Sequence, residues 1–197
     1  MSRFSVIVPT HNGAETLPKA LQSVRTQTFT DYELIVVCDA CEDNSAEIAR
    51  EYDAHVIEVD YHRDGLARNA GLDFATGEWI LFLDDDDWFL HECVFDMLNQ
   101  VCGKMGEDIL NFSFIEKNNG YREQNKGLIF VMCWCRCCRR EFIGDTRFND
   151  LPYGSDRQFF SNLMAKQPNI TFWNTPMYYY NHQFRSWKKH VESGDYR

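Results

Sequence analysis

The sequence predicts an α/β fold, a single domain on a mostly parallel central sheet with helices on both faces. Three observations predict it. Short β-rich runs alternate with segments of helical period through the first half of the chain, the pattern of βαβ units. The run Trp79-Ile80-Leu81-Phe82-Leu83 is apolar throughout, as expected of a strand buried on both faces. That run stops at four consecutive carboxylates, Asp84 to Asp87, and Trp88 closes it. Acidic side chains therefore fall at the carboxyl end of a buried strand, where open α/β sheets bind ligands.

The elements follow in order. Residues 4–8 read as a short strand that stops at Pro9, and 10–13 as a turn. Leu17, Leu21 and Val24 recur at helical spacing. Residues 33–37 read as a second buried strand, ending in Cys38-Asp39-Ala40-Cys41. Asp43, Asn44 and Ser45 offer caps for a helix over 46–52. A third strand is expected over 56–59, then a helix marked by Leu66, Ala70 and Phe74 and ended by Gly77. The fourth strand covers 79–83, and Val94, Leu98 and Val101 mark the next helix. Beyond that the alternation loosens. A strand is expected over 109–115, a turn at 117–120 and an apolar, aromatic stretch over 128–138. A helix begins at Ser155 or Asp156 and carries Phe159, Phe160 and Leu163. Two late strands, over 170–173 and 177–182, are separated by Pro176. No segment reads as a long linker, so one domain is expected over 1–197.

Composition bounds the function. The chain has 197 residues, 44% of them hydrophobic, enough for one sizeable core. No apolar stretch approaches the roughly 20 residues of a membrane span. Met1-Ser2-Arg3-Phe4 enters a strand directly, so no signal peptide and a cytoplasmic location are expected, with peripheral membrane association as the alternative. Lys188, Lys189 and His190 form a basic patch too small for an anchor. A formal net charge of −10 argues against a nucleic-acid backbone as partner. Of the eight cysteines, Cys133, Cys135, Cys137 and Cys138 crowd one segment without the paired spacing of a zinc site. Alternation along a strand would put 133, 135 and 137 on one face and 138 on the other. They read as small apolar residues in a reducing compartment, with structural zinc as the alternative.

The acidic run carries the chemistry. Four adjacent Asp repel one another, and each would have a raised pKa without a cation. Mg²⁺ or Mn²⁺ relieves that repulsion, prefers oxygen ligands and takes phosphates as co-ligands. The plain alternative is a solvated acidic turn. The buried strand ahead of the run favours a metal–phosphate site.

In this arrangement the chain resembles the inverting family 2 glycosyltransferases of the A-type, Rossmann-like fold. Val6-Ile7-Val8-Pro9-Thr10-His11-Asn12 resembles the family's opening strand, which ends P-x-Y-N. Residues 36–45 (VVCDACEDNS) align without gaps on V-V-D-D-G-S-T-D-N-T. Gly65-Leu66-Ala67-Arg68-Asn69-Ala70-Gly71 is similar to G-x-x-x-A-R-N-x-G, with shorter spacing. Residues 82–88 resemble F-L-D-S-D-D-x-W, and 134–140 followed by Phe148 resemble W-x-K-L-Y-R-R and a later F-P-E. Each piece is weak alone; five in the right order are strong.

The resemblance implies a nucleotide-sugar donor, bound by residues 1–104, and a glycan or other hydroxyl-bearing acceptor, bound by 105–197. Asp39 would contact the base, and a carboxylate accepting an imide N–H suits uracil, hence UDP. Pro9, Thr10 and Glu15 would frame that pocket, and Arg68 would pair with the base edge or a phosphate. Asp86 would be the direct metal ligand. Asp84 would act through water or orient the ribose, Asp85 would reach the ribose, and Asp87 would support the turn or cap the next helix. The cofactor implied is Mn²⁺ or Mg²⁺. Four positions in these motifs depart from the family: Cys38 for the first Asp of V-D-D-G-S, Ala40 and Cys41 for Gly and Ser, and His11 for the aromatic before Asn12. Ala40 is expected to take ordinary backbone angles.

Inversion needs a carboxylate to deprotonate the acceptor hydroxyl. The family uses the Asp of an E-D pair at a helix start, and here Ser155-Asp156 stands in that place. Asp156 is the expected base, a plain helix cap is the alternative, and Asp150 is the rival base. A His at 182 reads as a strand-end residue, and Trp173, Tyr178 and Trp187 as sugar-stacking or core aromatics. Two other classes compete. A nucleotidyltransferase would carry a Gly-rich basic loop, which residues 10–16 lack. A catalytically silent nucleotide-sugar-binding module fits Cys38 and Ser155, but not the presence of Asp84, Asp86 and Asp156.

Overall fold

Four strands build the parallel half of the sheet in a computed structural model that describes residues 2–117, 119–123 and 131–181. They are β1 (Phe4–Thr10), β2 (Tyr32–Asp39), β3 (His55–Val59) and β4 (Trp79–Phe82), rich in Val, Ile, Leu and Phe. The crossovers carry α1 (Leu17–Arg25), α2 (Ser45–Glu51) and α3 (Asp64–Phe74). After β4 come β5 (Trp88–Phe89), α4 (Val94–Val101), β6 (Ile109–Glu116), β7 (Gly120–Arg122), β8 (Arg136–Arg139), α5 (Arg140–Ile143), α6 (Ser155–Ala165) and β9 (Ile170–Tyr180). All described strands share one sheet in the order β3-β2-β1-β4-β8-β6-β9-β5, with β7 on β6. The pairs β3-β2, β2-β1, β1-β4 and β6-β9 are parallel; β8 runs antiparallel to both β4 and β6, and β5 to β9.

Both faces are covered, as a continuous apolar strand requires. In β4, Trp79 and Leu81 enter one core with Leu17, Leu21, Ala49, Val94 and Leu98 of α1, α2 and α4. Ile80 and Phe82 enter the other with Ala67, Leu72, Ile143, Phe159 and Leu163 of α3, α5 and α6.

Several local expectations are corrected. Pro9 does not stop β1, because the ladder to β4 ends at Ile7↔Phe82 and only β2 pairs with the strand beyond it. The missing N–H falls where one neighbour is absent. Pro176 likewise sits inside one continuous strand, β9, opposite Ser113 at a register shift. α3 ends at Phe74 rather than at Gly77. Gly77 serves close approach: its N–H donates to Ser5 Oγ and Glu33 Oε1, and a Cβ there would lie 2.6 Å from the Ser5 nitrogen. The cysteines divide two and two, because β8 begins only at Arg136. Cys135 and Cys137 pack in the first core, Cys133 and Cys138 in the second.

Candidate active site

The carboxyl ends of β1, β2 and β4 lie side by side in the sheet, so Pro9-Thr10, Asp39 and the acidic turn share one edge. Pro9 is buried on β1, and Thr10 donates its hydroxyl to Asp85 Oδ2 at 2.6 Å. Gly13 permits that contact, since a Cβ there would come within 2.3 Å of Thr10 Oγ1 and 2.4 Å of Asp85 Oδ2. Glu15 is exposed in the turn that follows.

Asp39 is 2% exposed and committed to the backbone. Its Oδ1 accepts the N–H groups of Tyr61 and His62 at 2.6 and 2.9 Å, and its Oδ2 that of Arg63 at 2.8 Å. A carboxylate offers about four lone-pair sites, so little acceptor capacity is left for a base. His11, one of the departures from the family, donates Nδ1–H to the Asp39 carbonyl oxygen at 2.6 Å. Ala40 is corrected outright: its φ is +51°, the left-handed region. Its N–H reaches Val59 O at 2.7 Å, and that bond holds the bend. The bend also brings Cys41 under Asn12, whose N–H lies 3.4 Å from Cys41 Sγ.

The four aspartates of the acidic turn alternate. Asp85 and Asp87 are buried, while Asp84 and Asp86 are half-buried. Asp87 is 0% exposed; it accepts the Tyr178 hydroxyl at 2.8 Å and the Asn181 N–H at 2.7 Å, which ties the turn to β9. Tyr178 Oη in turn accepts the Asp84 N–H at 3.2 Å. Asp84 is held by Arg68, Nη2 to Oδ1, at 2.8 Å. For the Asp86 carboxylate, the partner among the described residues is its own backbone N–H. Burial, with the charges of Asp85 and Asp84, pushes Asp86 up to about 8; burial foremost pushes Asp85 up to about 6.

Arg68 gathers carboxylates from three elements. It lies 2.6 Å from Asp64 Oδ2, 2.8 Å from Asp84 Oδ1 and 3.6 Å from Asp156 Oδ1. Asp156 stands in the first turn of α6, after Gly154 at φ +74°, and its Oδ2 accepts the Cys133 N–H at 3.0 Å. Asn69, beside Arg68, fixes the loop ahead of α6 through two bonds to the Phe148 backbone, at 2.8 and 2.9 Å. Phe148 stacks on Phe159 at 3.9 Å. Asp150 is instead paired with Arg63 at 3.1 Å and is exposed.

Among the expected site residues, then, Thr10 and Asp85 meet, and Arg68, Asp84 and Asp156 meet. Sequence reasoning missed Asp64 and the bond of Tyr178 to the acidic turn. Asp64 was findable as the i−4 partner of Arg68 on one helix; the Tyr178 contact was not, since only the sheet order brings β9 to the acidic turn. Tyr178 is fully buried and stacks on Trp134 at 4.6 Å, so it is a core residue and not a sugar platform. His182, Trp187 and the basic patch at 188–190 lie outside the described residues.

Among the described residues no helix is long and apolar enough to cross a membrane. The glycosyltransferase GlyA of Streptococcus pneumoniae is 26% identical over 90% of this chain and 30% of its own length. The putative glycosyltransferase EpsH of Bacillus subtilis is 28% identical over 96% of this chain and 65% of its own. The chain thus spans less than two thirds of these relatives. Among solved structures, Staphylococcus aureus TarS 1-349 in complex with UDP superposes with a TM-score of 0.77 at 21% identity, over 92% of this chain and 60% of that one. The mannosyltransferase PcManGT of Pyrobaculum calidifontis, in complex with GDP-Man and Mn²⁺, gives 0.77 at 16% identity, over 98% and 61%. These likenesses carry the fold, that of the A-type glycosyltransferases. The sequence matches the description Glycosyl transferase family 2 over residues 5–197, and the chain belongs to that family.

Proposed function

We propose that the chain is a cation-dependent, inverting glycosyltransferase that moves a sugar from a nucleoside diphosphate, UDP by preference, to an acceptor hydroxyl. The observation that carries this reading is the meeting of Asp84 and Asp156 on one guanidinium. It sets the acidic turn beside a carboxylate at a helix start. Residues 1–104 hold the donor and 105–197 the acceptor.

The donor set suits a hard cation. It is all oxygen, Asp86 has no cationic partner among the described residues, and burial with the charges of Asp85 and Asp84 raises its pKa. Asp86 would bind directly and Asp84 beside it; Asp85 and Asp87 are engaged by Thr10, Tyr178 and Asn181. Among the described residues no three His, Cys, Asp or Glu side chains form a ready cage, so diphosphate oxygens and water would be needed as further ligands. Such a cation would supply positive charge against the departing diphosphate. Asp156 takes the proton of the acceptor hydroxyl as its oxygen attacks the anomeric carbon, opposite the leaving group.

The test is Asp156→Asn. UDP and Mn²⁺ affinities stay close to wild type, while sugar transfer falls about 10²–10⁴-fold, the usual loss on removing a general base. Asp150→Asn is the milder control. Near wild-type transfer by Asp156→Asn moves the base elsewhere, first to Asp150.

A further inference from the structure

Arg68 is out of place as a helix-surface charge. Its side chain is only 6% exposed, yet it projects from α3 toward the ends of β4 and α6. An arginine serving its own helix needs no more than Asp64, four residues earlier and half exposed. Burying a guanidinium is unfavourable unless carboxylates surround it. Here they come from three elements, and two of them belong to opposite sides of the proposed reaction. Asp84 stands in the acidic turn on the donor side, and Asp156 is the proposed base on the acceptor side.

Both oxygens of Asp156 are thereby fixed. Oδ2 receives the Cys133 N–H, and Oδ1 faces Arg68 at 3.6 Å with no hydrogen bond among the described residues. The second contact is electrostatic and directional rather than a closed hydrogen bond. It orients the carboxylate without occupying Oδ1 as a tight bidentate pair would. With its side chain 6% exposed and turned to carboxylates, Arg68 presents little surface to a base edge or a phosphate, the contact the family resemblance implies.

We infer that Arg68 is a positioning residue whose planar fork ties Asp156 to Asp84, holding the proton acceptor at a fixed place relative to the donor's diphosphate end. The inference rests on reading Asp156 as the base. It assigns Arg68 no contact with substrate, and it makes Asp64 the anchor that sets the direction of the fork.

The test is a double-mutant cycle with Arg68→Met and Asp156→Asn, read as UDP release from UDP-glucose and UDP-N-acetylglucosamine with Mn²⁺ and as UDP affinity by calorimetry. Misplacing a reacting group by about an ångström costs about 10²-fold. Arg68→Met should lower kcat by about that factor, with UDP affinity and donor KM within about threefold of wild type. In the double variant kcat should fall no further than in Asp156→Asn alone, because Arg68 acts through that carboxylate. Losses that multiply overturn the inference and leave the base in place. A near wild-type Asp156→Asn overturns the base, and with it anything for Arg68 to position. Failure of the wild-type chain to release UDP from either sugar contradicts the transferase reading itself. Arg68→Lys guards against misfolding of the Met variant. It keeps the charge but loses the fork, so its kcat should also fall at unchanged donor KM; a wild-type kcat in Arg68→Lys contradicts the need for a fork.

Discussion

The ends of β2 and β4 face the same edge of the sheet and treat aspartate in opposite ways. At the end of β2, Asp39 is buried and its carboxylate is filled by three backbone N–H groups of the loop before α3. At the end of β4, Asp86 is half-buried, takes only its own N–H among the described groups, and is pushed up to about 8, by burial first and then by its neighbours' charges. The first carboxylate is satisfied by folding. The second has no such set of partners among the described residues, and it is the carboxylate we propose for the cation.

The largest expected effect tests the open end. Asp86→Ala should abolish cation-dependent UDP binding, a loss beyond about 100-fold, while Asp87→Ala should keep much of the cation affinity in whatever protein folds. Titrating Mn²⁺ against both variants checks it. A larger loss of cation affinity in Asp87→Ala would shift the ligand by one residue.

The closed end should respond through stability. Asp39→Ala leaves three N–H groups short of an acceptor, which costs about 3 kcal/mol, or about 6–12 °C in Tm for a chain of this size. Calorimetry of the nucleotide-free protein measures it. A Tm within about 2 °C of wild type would mean that the carboxylate is free for ligand after all.

The contrast was only half legible in sequence. The apolar run of β4 and the carboxylates after it fixed the open end, since burial and charge there are local properties. The closed end was less legible. Nothing local shows that Tyr61 to Arg63 fold back onto Asp39, the residue the family resemblance implies as a base contact. Ala40 looked ordinary because its side chain favours negative φ, whereas the Val59 carbonyl holds its N–H in the left-handed bend. Pro9 and Pro176 read as strand breakers because the sequence does not say where a neighbouring ladder ends. β5, only two residues long, has no periodicity to detect. The Asp156 helix start, by contrast, was visible from Phe159, Phe160 and Leu163 at helical spacing.

The smallest effect sharpens the same bend. Ala40→Gly removes a left-handed penalty of roughly 1–2 kcal/mol and adds unfolded-chain entropy worth about 0.4–1 kcal/mol. A net gain of about 0.5 kcal/mol, or about 1–2 °C in Tm, is expected. A clear loss would mean that the Ala40 methyl packs against something that matters more than its backbone.

The central claim, that the end of β4 is the donor's cation site, is tested most directly by titrating UDP into the wild-type chain with Mn²⁺, with Mg²⁺ and with chelator, alongside GDP, ADP and CDP. Stabilisation is expected only with the cation, about 2.7 kcal/mol at 100 times the dissociation constant, and more by UDP than by the others. Binding that persists unchanged in chelator would contradict it.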